Sequence, residues 1–167
     1  MIIIVEGIDR VGKTTLCNML KKEMNIPVYK HIGNFSYSNM DNDNETDKML
    51  QILETLRLVN GDVIFDRCHF TDYVYGILER YYNKKNAKKN FSILEKKLSE
   101  MHVVLLFVNP TNIEKSSYEH GKDLSMHQKI FQQLYKVSCI KEKYQCTYNT
   151  LNEAVIFSRI SLNKEKN

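Results

Sequence analysis

The apolar positions of this chain fall into two alternating patterns. Residues 2–5 (Ile2, Ile3, Ile4, Val5) and 103–108 are apolar without interruption, and in 62–66 the apolar Val63, Ile64 and Phe65 lead to Asp66. Residues 28–32 and 144–148 are further short strand candidates, more polar than these. Between them the apolar residues recur with helical period: Leu16, Met19, Leu20 and Met24; Met49, Leu50, Leu53 and Leu56; and Met126, Ile130, Leu134 and Val137. Further helices are expected over 70–85, over 92–101 behind a Ser92/Glu95 capping box, and after Thr150/Glu153. Asn25 with Pro27 ends the first helix, and Asn60-Gly61 ends the second. Residues 33–44, rich in Gly, Asn, Ser and Asp, are expected to be a loop.

Strands apolar along their whole length belong in a sheet covered on both faces. Alternation with helices makes the expected fold α/β: a doubly wound, mostly parallel, five-stranded sheet flanked by helices. At 167 residues the chain reads as one domain over 1–162, with 163–167 as a frayed tail.

Composition narrows the function classes. The net charge of +4 is too small for a nucleic-acid-binding signature. The lysine-rich run over 80–97 reads as a solvated helix face. Four cysteines without C-x-x-C or zinc spacing read as reduced thiols, and no secretory leader precedes them, so a cytoplasmic protein is expected. No apolar stretch approaches the ~18 residues of a membrane span.

The candidate chemistry begins where the first strand ends. Residues 7–14 read G-x-x-x-x-G-K-T between an apolar strand and a helical pattern, the setting in which a Walker A loop has meaning. Its backbone N–H groups, at a helix N-terminus, cradle phosphate. Gly7, Ile8, Asp9, Arg10, Val11, Gly12, Lys13, Thr14 and Thr15 are thus the expected ATP-binding residues, with Lys13 on the β- and γ-phosphates. Thr14 is expected to hold Mg²⁺ together with Asp66, the carboxylate at the end of the third strand. Arg67 beside it offers a planar fork of donors to phosphate. No N-K-x-D base-specificity motif suggests a GTPase.

The segments EGIDRVGKTT and DRCHFTDYVYG resemble the thymidylate kinase and deoxynucleoside/nucleotide kinase group of P-loop proteins. Glu6, Gly7, Asp9, Gly12, Lys13 and Thr14 match its loop. Asp66, Arg67, Thr71 (for Ser) and Tyr75 match its D-R-x-x-x-S-x-x-x-Y pattern. The resemblance implies ATP and Mg²⁺ as cofactors, Asp9 on the acceptor sugar, and Arg10 on the transferred phosphate. Lys13, Arg10, Asp66 and Arg67 are then the catalytic candidates; Asp9, Glu6, His31, Phe35, Arg67 and Tyr75 are the acceptor-binding ones. His69, Tyr73 and Tyr37 are further aromatic neighbours. The chain departs from the group in having Gly76 where Gln is common, and Lys30-His31-Ile32-Gly33 in place of an Arg-Pro-Gly turn. No arginine lies between Arg80 and Arg159, leaving Lys115 and Lys122 in the segment that matches the lid.

The expected activity is ATP-dependent phosphoryl transfer to a (deoxy)nucleoside monophosphate. One alternative is a deoxynucleoside kinase, with Glu6 as base for a 5′-hydroxyl; another is a nucleotide-binding protein with little turnover. The partners are small molecules, with no nucleic acid and no membrane, and a homodimer is left open.

Overall fold

A computed structural model describes residues 1–30, 42–80, 83–112, 114 and 123–165. The chain runs β1 (Ile2–Glu6), α1 (Lys13–Met24), β2 (Val28–Lys30), α2 (Asn42–Leu58), β3 (Val63–Asp66), α3 (His69–Glu79), α4 (Lys84–Ser99), β4 (Val103–Asn109), α5 (Ser125–Val137), β5 (Glu142–Thr147), a 3₁₀ turn (Tyr148–Thr150) and α6 (Leu151–Glu165). All four strand pairings are parallel, in the order β2-β3-β1-β4-β5. This is a doubly wound P-loop NTPase fold.

β1 lies at the centre and is buried from end to end, as are β3 and the first six residues of β4. That burial on both faces is what their unbroken apolar runs require. In register, Val5 lies beside Asp66, and Glu6 lies beside Phe107. The carboxyl ends of the three central strands therefore come out together, where ligands of such sheets sit. α1 and α6 pack on each other, while α2, α3, α4 and α5 form a second contiguous set. Phe131 and Tyr135 of α5 stack on Phe107. All four cysteines are free, and no described helix is long and apolar enough to cross a membrane.

Several boundaries differ from the sequence reading, each for a physical reason. α4 begins at Lys84, not near Ser92, because the Asn83 side chain caps it, accepting from the amides of Lys85 (2.9 Å) and Asn86 (3.4 Å). Ser92 is then interior and bonds back to the Lys88 carbonyl, and Glu95 turns into the core. Lys84, Lys85, Lys88, Lys89 and Lys96 are exposed, as expected of a solvated face. α2 starts at Asn42, inside the expected loop; the rest of that loop, 33–41, lies outside the described residues, as do residues 31 and 32 of the second expected strand. α3 stops at Glu79, short of 85.

On α5 the buried stripe is His127, Phe131 and Leu134, whereas Met126 and Val137 are 54% and 69% exposed. Two polar residues, His127 and Gln128, took inward positions, and a purely apolar period could not register that. β5 begins at Glu142 and ends at Thr147; as an edge strand it tolerates polar residues, and Thr147 with Thr150 then forms a capping box. α6 is described to Glu165, and residues 166–167 of the expected tail lie outside the described residues.

Candidate functional site

The loop between β1 and α1 carries three residues in the left-handed region: Gly7 (φ 144), Arg10 (φ 61) and Gly12 (φ 99). Close approach adds to that backbone demand. A Cβ on Gly7 would sit 2.4 Å from the Val108 carbonyl oxygen, and one on Gly12 would sit 2.8 Å from the Tyr148 ring. The loop is thus laid against the end of β4 at one glycine and against the 3₁₀ turn after β5 at the other. Ile8 and Val11 are buried and anchor it in the core; Arg10, Thr14 and Thr15 are exposed.

Lys13, the first residue of α1, is buried. Its Nζ donates to the Ile8 carbonyl of its own loop and lies 3.9 Å from Asp9 Oδ1. Burial pulls its pKa down to about 8, the Arg67 charge pulls in the same direction, and Asp9, Asp66 and Glu6 oppose them. An ammonium so poorly solvated gains from any anion brought to it.

Asp66 closes β3. Its Oδ2 accepts from Thr14 Oγ1 at 3.3 Å, and its buried Oδ1 has no hydrogen-bond partner among the described residues. A carboxylate oxygen with open lone pairs beside a hydroxyl is a donor set that suits Mg²⁺, which prefers oxygen ligands and keeps several waters. The residues present fit that ion. Next in the chain, Arg67 has a left-handed backbone (φ 74), and its Nη2 donates to Asp9 Oδ1. Tyr75 of α3 is buried close to Asp9; burial and then that negative charge push its phenol up. Lys13, Thr14, Asp9, Asp66, Arg67 and Tyr75 are therefore one connected group at the carboxyl ends of β1 and β3.

Glu6 does not join it. Expected as a base or acceptor contact, it is fully buried and committed elsewhere. Oε1 accepts from the amides of Cys68 (2.8 Å), Phe70 (3.1 Å) and Thr71 (3.3 Å), and Oε2 from Thr71 Oγ1 (2.5 Å). Burial raises its pKa, while His69 and the Thr71 and Cys68 bonds lower it. Four of α3's N-terminal donors converge on this carboxylate, which caps the helix from a neighbouring strand.

His69 and Tyr73 are engaged outside the connected group as well. Buried His69 pairs through Nε2 with Glu95 Oε1 at 2.8 Å, and Tyr73 packs on Phe91. Sequence reasoning missed both the Glu95 pairing and the seat of Tyr148 against Gly12. Neither carries a motif, since each partner comes from a distant element. The expected contacts His31, Phe35 and Tyr37, and lid lysines Lys115 and Lys122, lie outside the described residues.

The chain matches no protein-family model and no curated protein. It is similar in fold to several solved structures. The YorR protein of Bacillus subtilis, in complex with phosphorylated GDP, superposes with a TM-score of 0.73 at 19% identity, over 99% of this chain and 96% of that one. Thymidylate kinase from Ehrlichia chaffeensis gives 0.61 at 14% identity, over 97% and 98%. Deoxyadenosine kinase from M. mycoides, with dCMP and dCDP bound, gives 0.55 at 14%, over 98% and 99%. What these structures share with this chain is the fold, a parallel five-stranded sheet flanked by helices.

Proposed function

We propose that this protein is a kinase transferring the γ-phosphoryl group of ATP to a (deoxy)nucleoside monophosphate. The observation that carries the reading is the connected group at the ends of β1 and β3. It sets an under-solvated ammonium, an open carboxylate oxygen, a hydroxyl and a guanidinium around one glycine loop. Phosphoryl transfer asks mainly for positioning and charge stabilisation, and these side chains supply both.

In this reading the amides of 7–15 hold the donor phosphates, and Lys13 and Arg10 meet the transferring group. Thr14 and Asp66 hold Mg²⁺, which when bound neutralises charge on the phosphates. Arg67 lies between donor and acceptor phosphates, with Asp9 and Tyr75 beside the acceptor sugar. His31 and Phe35 remain candidates for the acceptor wall. A monophosphate is favoured over a nucleoside because a phosphate acceptor is already ionised and needs no base, and Glu6, the residue expected to be that base, is occupied by α3.

One observation favours a second reading, a nucleotide binder with little turnover: no arginine lies between Arg80 and Arg159 to close over a transition state.

The test is acceptor-dependent ADP release with ATP, Mg²⁺ and a panel of nucleosides and monophosphates. Turnover with a monophosphate supports the proposal. Turnover confined to nucleosides replaces the acceptor class. ATP binding without turnover on any acceptor supports the binder.

A further inference from the structure

We infer that Glu95 of α4 is a positioning residue: acting through His69, it fixes the first turn of α3 and so the Asp66–Arg67 corner. The role assigned to that corner rests on the kinase reading; the mechanical link does not.

Glu95 is buried, and both its oxygens are in use. Oε1 meets His69 Nε2 at 2.8 Å and Ser138 Oγ at 2.9 Å; Oε2 meets the Cys139 amide at 2.7 Å and Ser138 Oγ at 3.1 Å. One carboxylate therefore ties together α4, the first residue of α3 and the segment after α5. His69 is held in plane as well, stacked on Phe91 (5.3 Å between centroids) and edge-on to Phe70 (4.8 Å). From the other side, Glu6 of β1 takes the amides of Cys68, Phe70 and Thr71. The turn from 68 to 71 is thus gripped by two buried carboxylates from different elements.

The residue just before that turn shows why such a grip matters. Arg67 is an arginine at φ 74, a conformation that costs about 1 kcal/mol or more for a residue with a Cβ. Such a backbone persists only where its surroundings over-determine it. Upstream, the Arg67 amide bonds to the Val5 carbonyl at 3.0 Å. Downstream, the grip on 68–71 constrains it from the other side. The guanidinium reaches Asp9 only while the backbone holds this turn.

Glu95→Gln tests the link with little change of shape. A carboxamide has one acceptor and one donor end, so it cannot accept from both the His69 N–H and the Cys139 N–H; with its oxygen on Cys139, His69 must accept at Nε2 and carry its proton on buried Nδ1, which has no hydrogen-bond partner among the described residues. Two measurements on the full chain decide. In amide hydrogen exchange, Glu95→Gln is expected to speed exchange at Cys68, Phe70 and Thr71 by about tenfold, with α1 amides unchanged. In turnover, kcat is expected to fall about tenfold with the ATP affinity unchanged, since misplacing a group by an ångström costs this much or more. His69→Gln, which keeps an N–H for Glu95, is expected to retain most of the rate; His69→Leu is expected to match Glu95→Gln.

Faster exchange confined to 138–140, or spread evenly over the chain, would overturn the inference. So would a His69→Leu variant with wild-type exchange at 68–71. A wild-type protein without turnover on any acceptor would end the kinase reading, and the exchange experiment would still decide this one.

Discussion

Two carboxylates close the neighbouring strands β1 and β3, and the chain treats them in opposite ways. Around Glu6 both oxygens are engaged: three amides and a hydroxyl at the start of α3 converge on it, and the turn they belong to is tied again to Glu95. Around Asp66 one oxygen makes a long contact with Thr14 and the other makes none among the described residues, although it is just as buried. The first corner is closed and does structural work. The second is left open at the one place where a glycine loop, an ammonium and a guanidinium meet. Buried polar groups are normally satisfied by the protein, so the contrast separates a residue the fold uses from one it holds ready.

The comparison can be broken at its strongest point first. Lys13→Ala is expected to lower acceptor-dependent ADP release by about 10³-fold while leaving the melting temperature unchanged or higher, because a buried ammonium is removed. The next pair of variants is the sharpest. Glu6→Ala should cost about 3 kcal/mol in urea unfolding, as several α3 donors lose a charged acceptor. Asp66→Asn should change stability by less than about 0.5 kcal/mol yet cut the rate about 10²-fold. Equal stability losses from the two carboxylates would erase the distinction.

A third test uses pH. With its pKa pulled down to about 8, Lys13 is charged below that pH and neutral above it. A phosphate-bearing ligand binds the charged form, so affinity should be flat below pH 8 and weaken about tenfold per unit above it, with a proton taken up on binding. Calorimetry in two buffers of different ionisation enthalpy measures both. ATP affinity that holds level to pH 10 would take Lys13 out of contact with the ligand. The smallest effect sets the scale: Asn83, an exposed cap on α4, should cost only about 1 kcal/mol as Asn83→Ala in a thermal melt. A buried charged cap at Glu6 should clearly exceed it.

The open corner was legible in the sequence and the closed one was not. Gly7, Gly12, Lys13 and Thr14 stand at the spacing of a glycine loop before a helix, Asp66 ends an apolar strand, and unbroken apolar runs mark strands buried on both faces. The Glu95–His69 tie has no such spacing. It joins residues 26 apart on two helices, and local chemistry near Glu95 suggested a cap instead. Asn83 did that job, and only packing decides which carboxylate turns inward. Glu6 shows the same limit from the other direction: its place at the end of the first strand is plain in the sequence, but the four donors around it come from the start of α3.

The central position of β1 also sets a timetable. β1 precedes the other strands in the chain, yet its two neighbours are β3 and β4, which end at Asp66 and Asn109. At synthesis rates of ~5–20 residues per second, its apolar strand waits several seconds for the second partner to leave the ribosome. The Val108 carbonyl that seats Gly7 arrives only then. The glycine loop is among the earliest parts of the described chain to be made, and the residues that seat it, Val108 and Tyr148, are made long after it.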